Sequence, residues 1–254
     1  MLACTTNPAT STYTFSQALQ EPDAPDFLYA TQAEIAAHET NGHWLKVPCS
    51  TMPASHKPIP AVWAMKCNTR PDGTLIKHKA HLSTGGHCQV FELTYWDTYS
   101  PVVQWMTVYL LLVISVLENL HTQQVDFELA FPQASLDVEI YMLFHQGFDA
   151  DGCDFVLLLQ KKLYGLKQAS MTWFEKLCAN LIVCGFHQSV VDPCCFLLAH
   201  LVLLVFVDDC LFFSWHVATV DKLLLSLCLK FVLTDQGDVS EYLGICIIKH
   251  SDAH

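Results

Sequence analysis

Leu201-Val-Leu-Leu-Val-Phe-Val-Asp-Asp-Cys-Leu-Phe-Phe213 is the stretch that decides how the rest of this chain is arranged. Two adjacent carboxylates, Asp208 and Asp209, stand in an otherwise apolar run. Burying charged carboxylates among apolar side chains is strongly unfavourable unless a partner compensates them. The stretch therefore predicts a cation at this point of the fold.

The run has two other interpretations, a membrane-spanning helix and a simple β-hairpin. A membrane-spanning helix needs roughly 18 to 20 apolar residues with its charges at the ends, whereas this run is shorter and carries its charges in the middle. A β-hairpin with Asp208 and Asp209 at its tip suits the sequence, because aspartate tolerates turn geometry. A hairpin tip can also hold two metal-binding carboxylates rigidly, so the hairpin is compatible with the predicted cation.

Composition predicts a globular chain without a secretion signal. With 254 residues, of which 52% are hydrophobic, the chain can bury a sizeable core. The segment 1–8 lacks the basic start and apolar core of a signal peptide. The 12 cysteines are therefore expected to be free thiols in a reducing compartment, either the cytoplasm or the nucleus.

Charge argues against a nucleic-acid partner when it is taken alone. The formal net charge is -12, and affinity for nucleic acid comes largely from Lys and Arg that neutralise phosphates. No Lys or Arg precedes Lys46, none lies between Lys79 and Lys161, and Arg70 is the only arginine in the sequence.

Periodicity and turn residues predict a mixed α+β fold. Residues 1–20 have no strong pattern and are expected to form a loose lead-in. The Pro71-Asp-Gly73 turn between two alternating runs predicts a hairpin, and the apolar segment 100–120 predicts a mostly buried helix. The remaining predicted helices are 26–40, 171–184 and 220–231, and the remaining predicted strands are 44–47, 122–131, 155–159 and 241–248.

Four residues that follow the predicted turn are of the types that bind zinc. His78, His81, His87 and Cys88 are all plausible zinc ligands, but their spacing matches no compact zinc pattern. A chain with 13 histidines and 12 cysteines produces such clusters by chance, so this interpretation is disfavoured.

An ordered set of short motifs resembles the reverse transcriptases of copia-type retrotransposons. The central motifs include Val125-Asp126, Leu163-Tyr-Gly-Leu-Lys-Gln-Ala169, Phe206-Val-Asp-Asp209 and Tyr242-Leu-Gly-Ile245. Upstream motifs such as Lys79-Ala80 and Ser100-Pro-Val-Val103 extend the resemblance over roughly residues 12–249. Each motif is weak by itself, and the specificity comes from their order.

The resemblance implies a right-hand polymerase fold with fingers and palm. The palm would be an antiparallel sheet packed on helices, and the thumb would be absent or incomplete. The implied divisions are a flexible lead-in at 1–20, a reverse transcriptase domain at 21–249 and a tail at 250–254. The fingers would lie at about 40–120 and the palm at about 121–249, with some interleaving.

The resemblance also implies roles for individual residues. Asp126, Asp208 and Asp209 would be the catalytic residues and would hold two Mg²⁺ ions, or Mn²⁺ in their place, because these hard cations prefer carboxylate oxygens. Lys66 and Lys167 would contact template and primer. The nucleotide-binding residues would be Phe131, Gln168 and Lys79.

The implied activity is RNA-directed DNA polymerisation in the replication of a retroelement. Its partners would be an RNA template, a DNA primer and deoxynucleoside triphosphates, with the rest of a Pol polyprotein as a further partner and no membrane. One ion would activate the primer 3′-hydroxyl, and the other would neutralise the triphosphate and the leaving pyrophosphate.

The sequence departs from the family pattern mainly by losing basic residues. The departures are His81, Gly85, Glu128, Ser170 and Met171. Loss of charge-assisted contacts should weaken nucleotide binding. Two alternatives therefore stay open: a decayed, catalytically inactive retroelement remnant, and an unrelated acidic His/Cys-rich metal-binding or interaction protein.

Overall fold

The computed structural model describes residues 12–69, 74–144 and 154–247. The α-helices are α1 Phe15–Ala18, α2 Ala24–Thr40, α3 Trp105–Leu117, α4 Ala169–Val183 and α5 Val217–Cys228. The strands are β1 Thr12–Tyr13, β2 Trp44–Pro48, β3 Ala61–Thr69, β4 Leu75–Thr84, β5 His121–Phe127, β6 Tyr141–Met142, β7 Phe155–Leu159, β8 His187–Gln188, β9 Cys195–Leu198, β10 Leu201–Phe206, β11 Asp209–Ser214, β12 Leu233–Gly237, β13 Glu241–Tyr242 and β14 Ile245–Cys246.

The described chain forms two compact units, and each is made of two separate segments. The carboxylate unit comprises Tyr99–Gln133 together with the described residues from Ser170 onward. The hairpin unit comprises the described residues up to Thr98 together with those of Ala134–Ala169. Helix α3 belongs to the carboxylate unit, so the two units interleave along the sequence.

The carboxylate unit is built on a six-stranded antiparallel sheet in the order β12-β5-β11-β10-β9-β8. The apolar run at 201–213 folds back on itself as β10 and β11, which lie in the middle of this sheet. Most side chains of β10 and β11 are apolar and pack into the core of the unit, where α3 covers part of one face of the sheet.

The predicted mostly buried helix at 100–120 is only half right. Helix α3 begins at Trp105, ends at Leu117 and buries Val108, Leu111 and Leu112 in the core. Its opposite face is exposed, with Met106 at 78% and Leu110 at 59%. The apolar composition of the segment predicted that the whole helix would be buried, but α3 packs against the core with one face only.

The hairpin unit contains two antiparallel three-stranded sheets. One has the order β1-β3-β4 and the other β2-β7-β6. The predicted hairpin is confirmed as β3 and β4, while its turn, 70–73, lies outside the described residues. Helix α2 starts with a proline in its first turn and ends at Asn41–Gly42, where Gly42 has a φ of 61°.

Two sequence expectations need correction. Within the expected loose lead-in, Thr12–Tyr13 pair with β3, and Phe15–Ala18 form a capped helix whose Ala18 is fully buried. The expected single strand at 241–248 is instead a tight hairpin of β13 and β14. Leu243 and Gly244, with φ of 51° and 78°, turn the chain between these strands.

Within the described ranges, no helix combines the length and the apolar character needed to cross a lipid bilayer.

Candidate active site

Strand pairing brings the three predicted catalytic aspartates to one corner of the carboxylate unit. Asp126 on β5 lies directly opposite Asp209 on β11. Phe206 pairs with Asp209, so Val207 and Asp208 form a two-residue turn between β10 and β11. The carbonyl of Asp208 accepts a hydrogen bond from the Phe127 N–H at 2.9 Å, which fixes the turn against β5.

The turn is held in an uncommon backbone conformation. Val207 has a φ of 57°, a region that β-branched residues rarely adopt. Its carbonyl accepts a hydrogen bond of 2.6 Å from the indole Nε1–H of Trp173 on α4. The Trp173 ring packs edge-on against Phe127 and Phe231, with centroid distances of 5.2 and 5.6 Å. Helix α4 therefore stabilises the turn that carries Asp208.

The charges of the neighbouring carboxylates affect the pKa of Asp209 at this corner. The pKa of Asp209 is raised to about 6, mainly by burial and in addition by the nearby charges of Asp208 and Asp126, while a hydrogen bond with Gln124 works in the opposite direction. Like charges placed directly across a strand pair are destabilising. A cation bound at the corner would relieve this repulsion.

A divalent cation suits this donor set. Three carboxylates offer only hard oxygen ligands, as Mg²⁺ and Mn²⁺ prefer. The oxygens of the three aspartates do not all lie within 4.8 Å of one another. Coordination of one ion by all three would require these side chains to move closer together.

A further acid lies next to this corner. Glu128 accepts a hydrogen bond from Thr234, which is the β12 residue paired with Asp126. Glu128 is one of the departures noted in the sequence, and it adds negative charge beside the aspartates.

An apolar and thiol-rich layer lies beneath the corner. Burial raises the pKa of Cys210 well above its ordinary value, and the three aspartates add to that shift. The buried hydroxyl of Tyr242 has no hydrogen-bond partner in the structure, and burial raises the pKa of this group too. The motif Tyr242-Leu-Gly-Ile245 indicated that this residue matters but not that it would sit under the aspartates.

Phe131 lies in the carboxylate unit as well, in a short 3₁₀ helix at Phe131–Gln133. Its side chain is 8% exposed, so most of the ring is buried. Gln133, at the end of that turn, donates to the carbonyls of Glu128 and Val232. The segment that follows Asp126 is thereby tied to the chain that leads into β12.

The other predicted site residues lie in the hairpin unit. Lys66 on β3 and Lys79 on β4 are direct cross-strand partners, and both are exposed. Lys167 is half-buried, with its Nζ at 3.1 Å from the Tyr95 hydroxyl and 4.3 Å from the ring centroid. The strand pairing thus places Lys66 and Lys79 together as an exposed pair of cations.

Gln168 is engaged inside the hairpin unit. It is 4% exposed, its Oε1 accepts a hydrogen bond from Gln89 and its Nε2 donates to the Thr94 carbonyl. Gln89 in turn accepts a hydrogen bond from the Lys167 N–H at 2.8 Å. Sequence analysis did not identify Gln89 as a neighbour of Gln168, because the two glutamines are 79 positions apart.

Two of the departures noted in the sequence, His81 on β4 and Gly85 directly after that strand, have close neighbours in the hairpin unit. His81 lies 3.3 Å from the Glu34 carboxylate, and its ring packs edge-on against Tyr164 at 4.4 Å. At Gly85, an added Cβ would lie 2.5 Å from the Pro60 ring. Position 85 of this chain therefore has no room for the basic side chain that the family pattern would place there.

The four residues considered for zinc do not form a cluster. His81 is engaged by Glu34, and His87 and Cys88 lie in an exposed 3₁₀ turn. His78 instead contacts Asp23.

Comparison with known proteins gives one consistent result. The sequence profile of the family described as "Reverse transcriptase (RNA-dependent DNA polymerase)" matches residues 46–254. The Retrovirus-related Pol polyprotein from transposon RE2 of Arabidopsis thaliana is 33% identical over 221 residues, covering 85% of this chain and 15% of that polyprotein. The corresponding polyprotein from transposon TNT 1-94 of Nicotiana tabacum is 28% identical over 239 residues, covering 92% of this chain and 18% of its own length. The Transposon Ty1-BL Gag-Pol polyprotein of Saccharomyces cerevisiae is 30% identical over 183 residues, covering 67% of this chain and 10% of that polyprotein. The chain therefore spans less than a fifth of the length of each of these three relatives.

Proposed function

The chain belongs to the reverse transcriptase family, as the reverse transcriptase domain of a copia-type retrotransposon Pol polyprotein, and from this premise we propose that it is an RNA-directed DNA polymerase domain. The observation that supports the proposal most directly is the placement of the Val207–Asp208 turn beside β5, with Asp209 opposite Asp126. Polymerisation would join the primer 3′-hydroxyl to the α-phosphate of a deoxynucleoside triphosphate and release pyrophosphate.

In this mechanism the aspartates act as ligands. Asp126 and Asp208 would be the main metal ligands, and Asp209 the less direct one. A bound pair of divalent cations would supply activation of the hydroxyl and neutralisation of the phosphate charge. The chain itself contributes rigidity, because β5, β11 and the Trp173 hydrogen bond hold the backbone of the three residues in place.

The remaining assignments are proposed from the family. Phe131 would limit the space for a 2′-hydroxyl, Gln168 and Lys79 would bind the nucleotide, and Lys66 and Lys167 would contact template and primer. We assign the palm to the carboxylate unit and the fingers to the hairpin unit. The partners would be an RNA template, a DNA primer and deoxynucleoside triphosphates.

A second candidate function is a folded remnant that no longer polymerises. It is favoured by the surroundings of His81 and Gly85, since neither position offers a cation for a triphosphate. The decay hypothesis drawn from the sequence fits this, because many arginine codons become His, Cys or Gln codons by one transition. Family membership removes the third possibility, an unrelated acidic protein.

Primer extension tests the proposal. The purified chain is given poly(rA)/oligo(dT), deoxythymidine triphosphate and Mg²⁺ or Mn²⁺, beside Asp208→Asn and a matched control, Asp221→Asn, at an exposed position of α5. Extension by the parent chain and the control, lost in Asp208→Asn, is the expected result.

Thermal unfolding separates a missing activity from a missing metal site. We expect Mn²⁺ to raise the unfolding temperature of the parent chain and of Asp221→Asn but not of Asp208→Asn. Absence of extension together with this stabilisation would favour the remnant. Absence of both would contradict the metal-binding role of the aspartates.

A further inference from the structure

A cluster of metal-ligating side chains lies within the hairpin unit. Asp23, Cys67 and His78 each place one potential ligand atom within 4.8 Å of the others, and all three side chains are partly buried. Among the residues that the structure describes, this is the group of three that meets that spacing.

The fold brings these residues together from distant positions. Cys67 on β3 and His78 on β4 are direct cross-strand partners, so their side chains leave the same face of the hairpin. Asp23 is the residue that precedes α2, and its carboxylate hydrogen-bonds the Nε2 of His78. The ring of Phe27 packs edge-on against His78 at 4.6 Å, which fixes the orientation of the imidazole.

The immediate surroundings are acidic. Asp26 places a carboxylate oxygen 4.0 Å from the Nδ1 of His78, and the other nitrogen of that ring meets Asp23. Burial raises the pKa of the Cys67 thiol, and the charges of Asp23 and Glu21 add to the effect. These acids attract a cation, while Lys66 and Lys79, the next cross-strand pair of the hairpin, belong to its opposite face.

The donor set selects the kind of ion. One thiolate, one imidazole and one carboxylate are the three side-chain types that bind Zn²⁺, whereas Mg²⁺ and Ca²⁺ take oxygen ligands. We propose that Asp23, Cys67 and His78 form a Zn²⁺ site with one coordination position left open. Binding would release the Cys67 thiol proton to solvent and would hold the start of α2 against the β3–β4 hairpin.

This inference is independent of the polymerase proposal. The site lies within one unit, and its readouts are metal binding and thiol reactivity rather than nucleotide incorporation. Failure of either proposal leaves the other standing.

Residue-resolved alkylation tests the site in the unaltered chain. The reduced protein is treated with iodoacetamide with and without Zn²⁺, and each cysteine is quantified by mass spectrometry. Cys88, which is exposed in the same unit, serves as the internal control. We expect Zn²⁺ to slow alkylation of Cys67 about tenfold or more while Cys88 changes little, because a coordinated thiolate is not free to react. Equal rates for Cys67 with and without Zn²⁺ would overturn the proposal.

Substitution tests the ligand set. Co²⁺ bound at the site should give a thiolate-to-metal absorption band, which Zn²⁺ then displaces. Cys67→Ser should abolish the band, Asp23→Asn should weaken Zn²⁺ binding by roughly tenfold or more, and Cys88→Ser should leave both unchanged. Circular dichroism establishes that each variant is folded. A band that survives in Cys67→Ser, or unaltered Zn²⁺ affinity in a folded Asp23→Asn, would assign the metal to other residues.

Discussion

Gly165 lies so close to the backbone of Thr84 that no side chain fits between them. An added Cβ would stand 2.1 Å from the Thr84 carbonyl oxygen, and the residue has a φ of 89°. The Thr84 N–H donates to the Tyr164 carbonyl at 2.7 Å, so the close approach is part of a hydrogen-bonded crossing of two segments. The glycine in the Leu163-Tyr-Gly motif is therefore explained by packing within the hairpin unit.

Gly165→Ala should destabilise the hairpin unit strongly. We expect the free energy of unfolding to fall by about 3 kcal/mol or more, because left-handed strain and a backbone clash combine. Gly42→Ala is the matched control, since Gly42 also has a positive φ but nothing within 4 Å of the added Cβ. That variant should lose only about 1 kcal/mol. Urea denaturation measures both, and equal losses would show that strain alone decides.

At the residue scale, sequence singled out three aspartates but did not predict what holds them in place. Asp208 and Asp209 were recognisable as two carboxylates in an apolar run, and the order of the motifs identified Asp126. The φ of Val207 and the indole hydrogen bond from Trp173 left no such signal, because both depend on how α4 packs under the turn. Asp23 and Cys67 were missed for a similar reason, since neither is close to His78 in sequence.

Helix α4 acts on the candidate site through one hydrogen bond. Trp173→Phe keeps an aromatic ring against Phe127 and Phe231 but removes the donor to the Val207 carbonyl. We expect a loss of about 1 kcal/mol in stability and faster amide hydrogen exchange in the β10–β11 turn. Trp215→Phe, at an indole that is 46% exposed, should change stability by less than about 0.5 kcal/mol. Unchanged exchange in the turn of Trp173→Phe would refute the buttressing role.

The junction of α2 and β2 should make the hairpin unit sensitive to acid. His43 is buried, and its Nδ1 lies 2.7 Å from that of His38. Burial lowers the pKa of His43 from its ordinary value of 6.5 to about 4, and the neighbouring His38 and Lys161 contribute to the decrease. The unfolded chain therefore binds a proton before the folded chain does. The stabilisation is complete above pH 6.5 and is lost as the pH falls towards 4, by up to about 3 kcal/mol.

His43→Gln tests this origin of the acid sensitivity. The variant should be less stable at pH 7 yet show a shallower loss of stability between pH 6.5 and 4, measured by urea denaturation at the NMR amide signals of α2. His187→Gln, at an exposed position, should keep the parent slope. Glu34 acts at the acid end of this range in the parent chain and in both variants. Burial would raise its pKa, but neighbouring His38, His81 and the Leu82 N–H outweigh burial and hold the pKa well below the ordinary value of 4.5, at which the unfolded chain takes up its proton. A parent slope in His43→Gln would assign the effect to another group.

At the element scale, periodicity and turn residues predicted most helices and strands to within a few residues. The exposed face of α3 and the β13–β14 hairpin were not predicted. Both depend on tertiary structure: α3 packs with one face, and Leu243 takes a positive φ that leucine has no intrinsic tendency to adopt.

The charge of the whole molecule limits how it can hold nucleic acid. Only 13 basic residues oppose 25 acidic ones. If Lys79 contacts duplex phosphate alongside Lys66 and Lys167 when no nucleotide is bound, the logarithm of the association constant for duplex should fall with the logarithm of salt concentration with a slope of about -3. Fluorescence anisotropy of a labelled RNA–DNA duplex over a range of salt concentrations measures this slope.

Single substitutions assign that slope to residues. Lys66→Gln or Lys79→Gln should each flatten it by about 1, whereas Lys222→Gln, on an exposed part of α5, should leave it unchanged. A slope much steeper than -3 in the parent chain would mean that other basic residues carry the binding.

At the scale of the molecule, sequence predicted the α+β class and the family, and the two units interleave along the chain. The cause is that Ala134–Ala169 returns to the hairpin unit after the chain has entered the carboxylate unit. Such a return is decided by long-range strand pairing, as between β2 and β7, and local patterns carry little information about it.

The pairing of Asp209 with Asp126 also bears on the history of the gene. Replacing either aspartate with a neutral residue would relieve repulsion at the corner, so a copy released from selection has no stability barrier to losing them. All three aspartates are nevertheless present in a chain whose Lys and Arg residues number only 13. Either selection on the corner continues, or too few substitutions have accumulated since it ended to reach these codons.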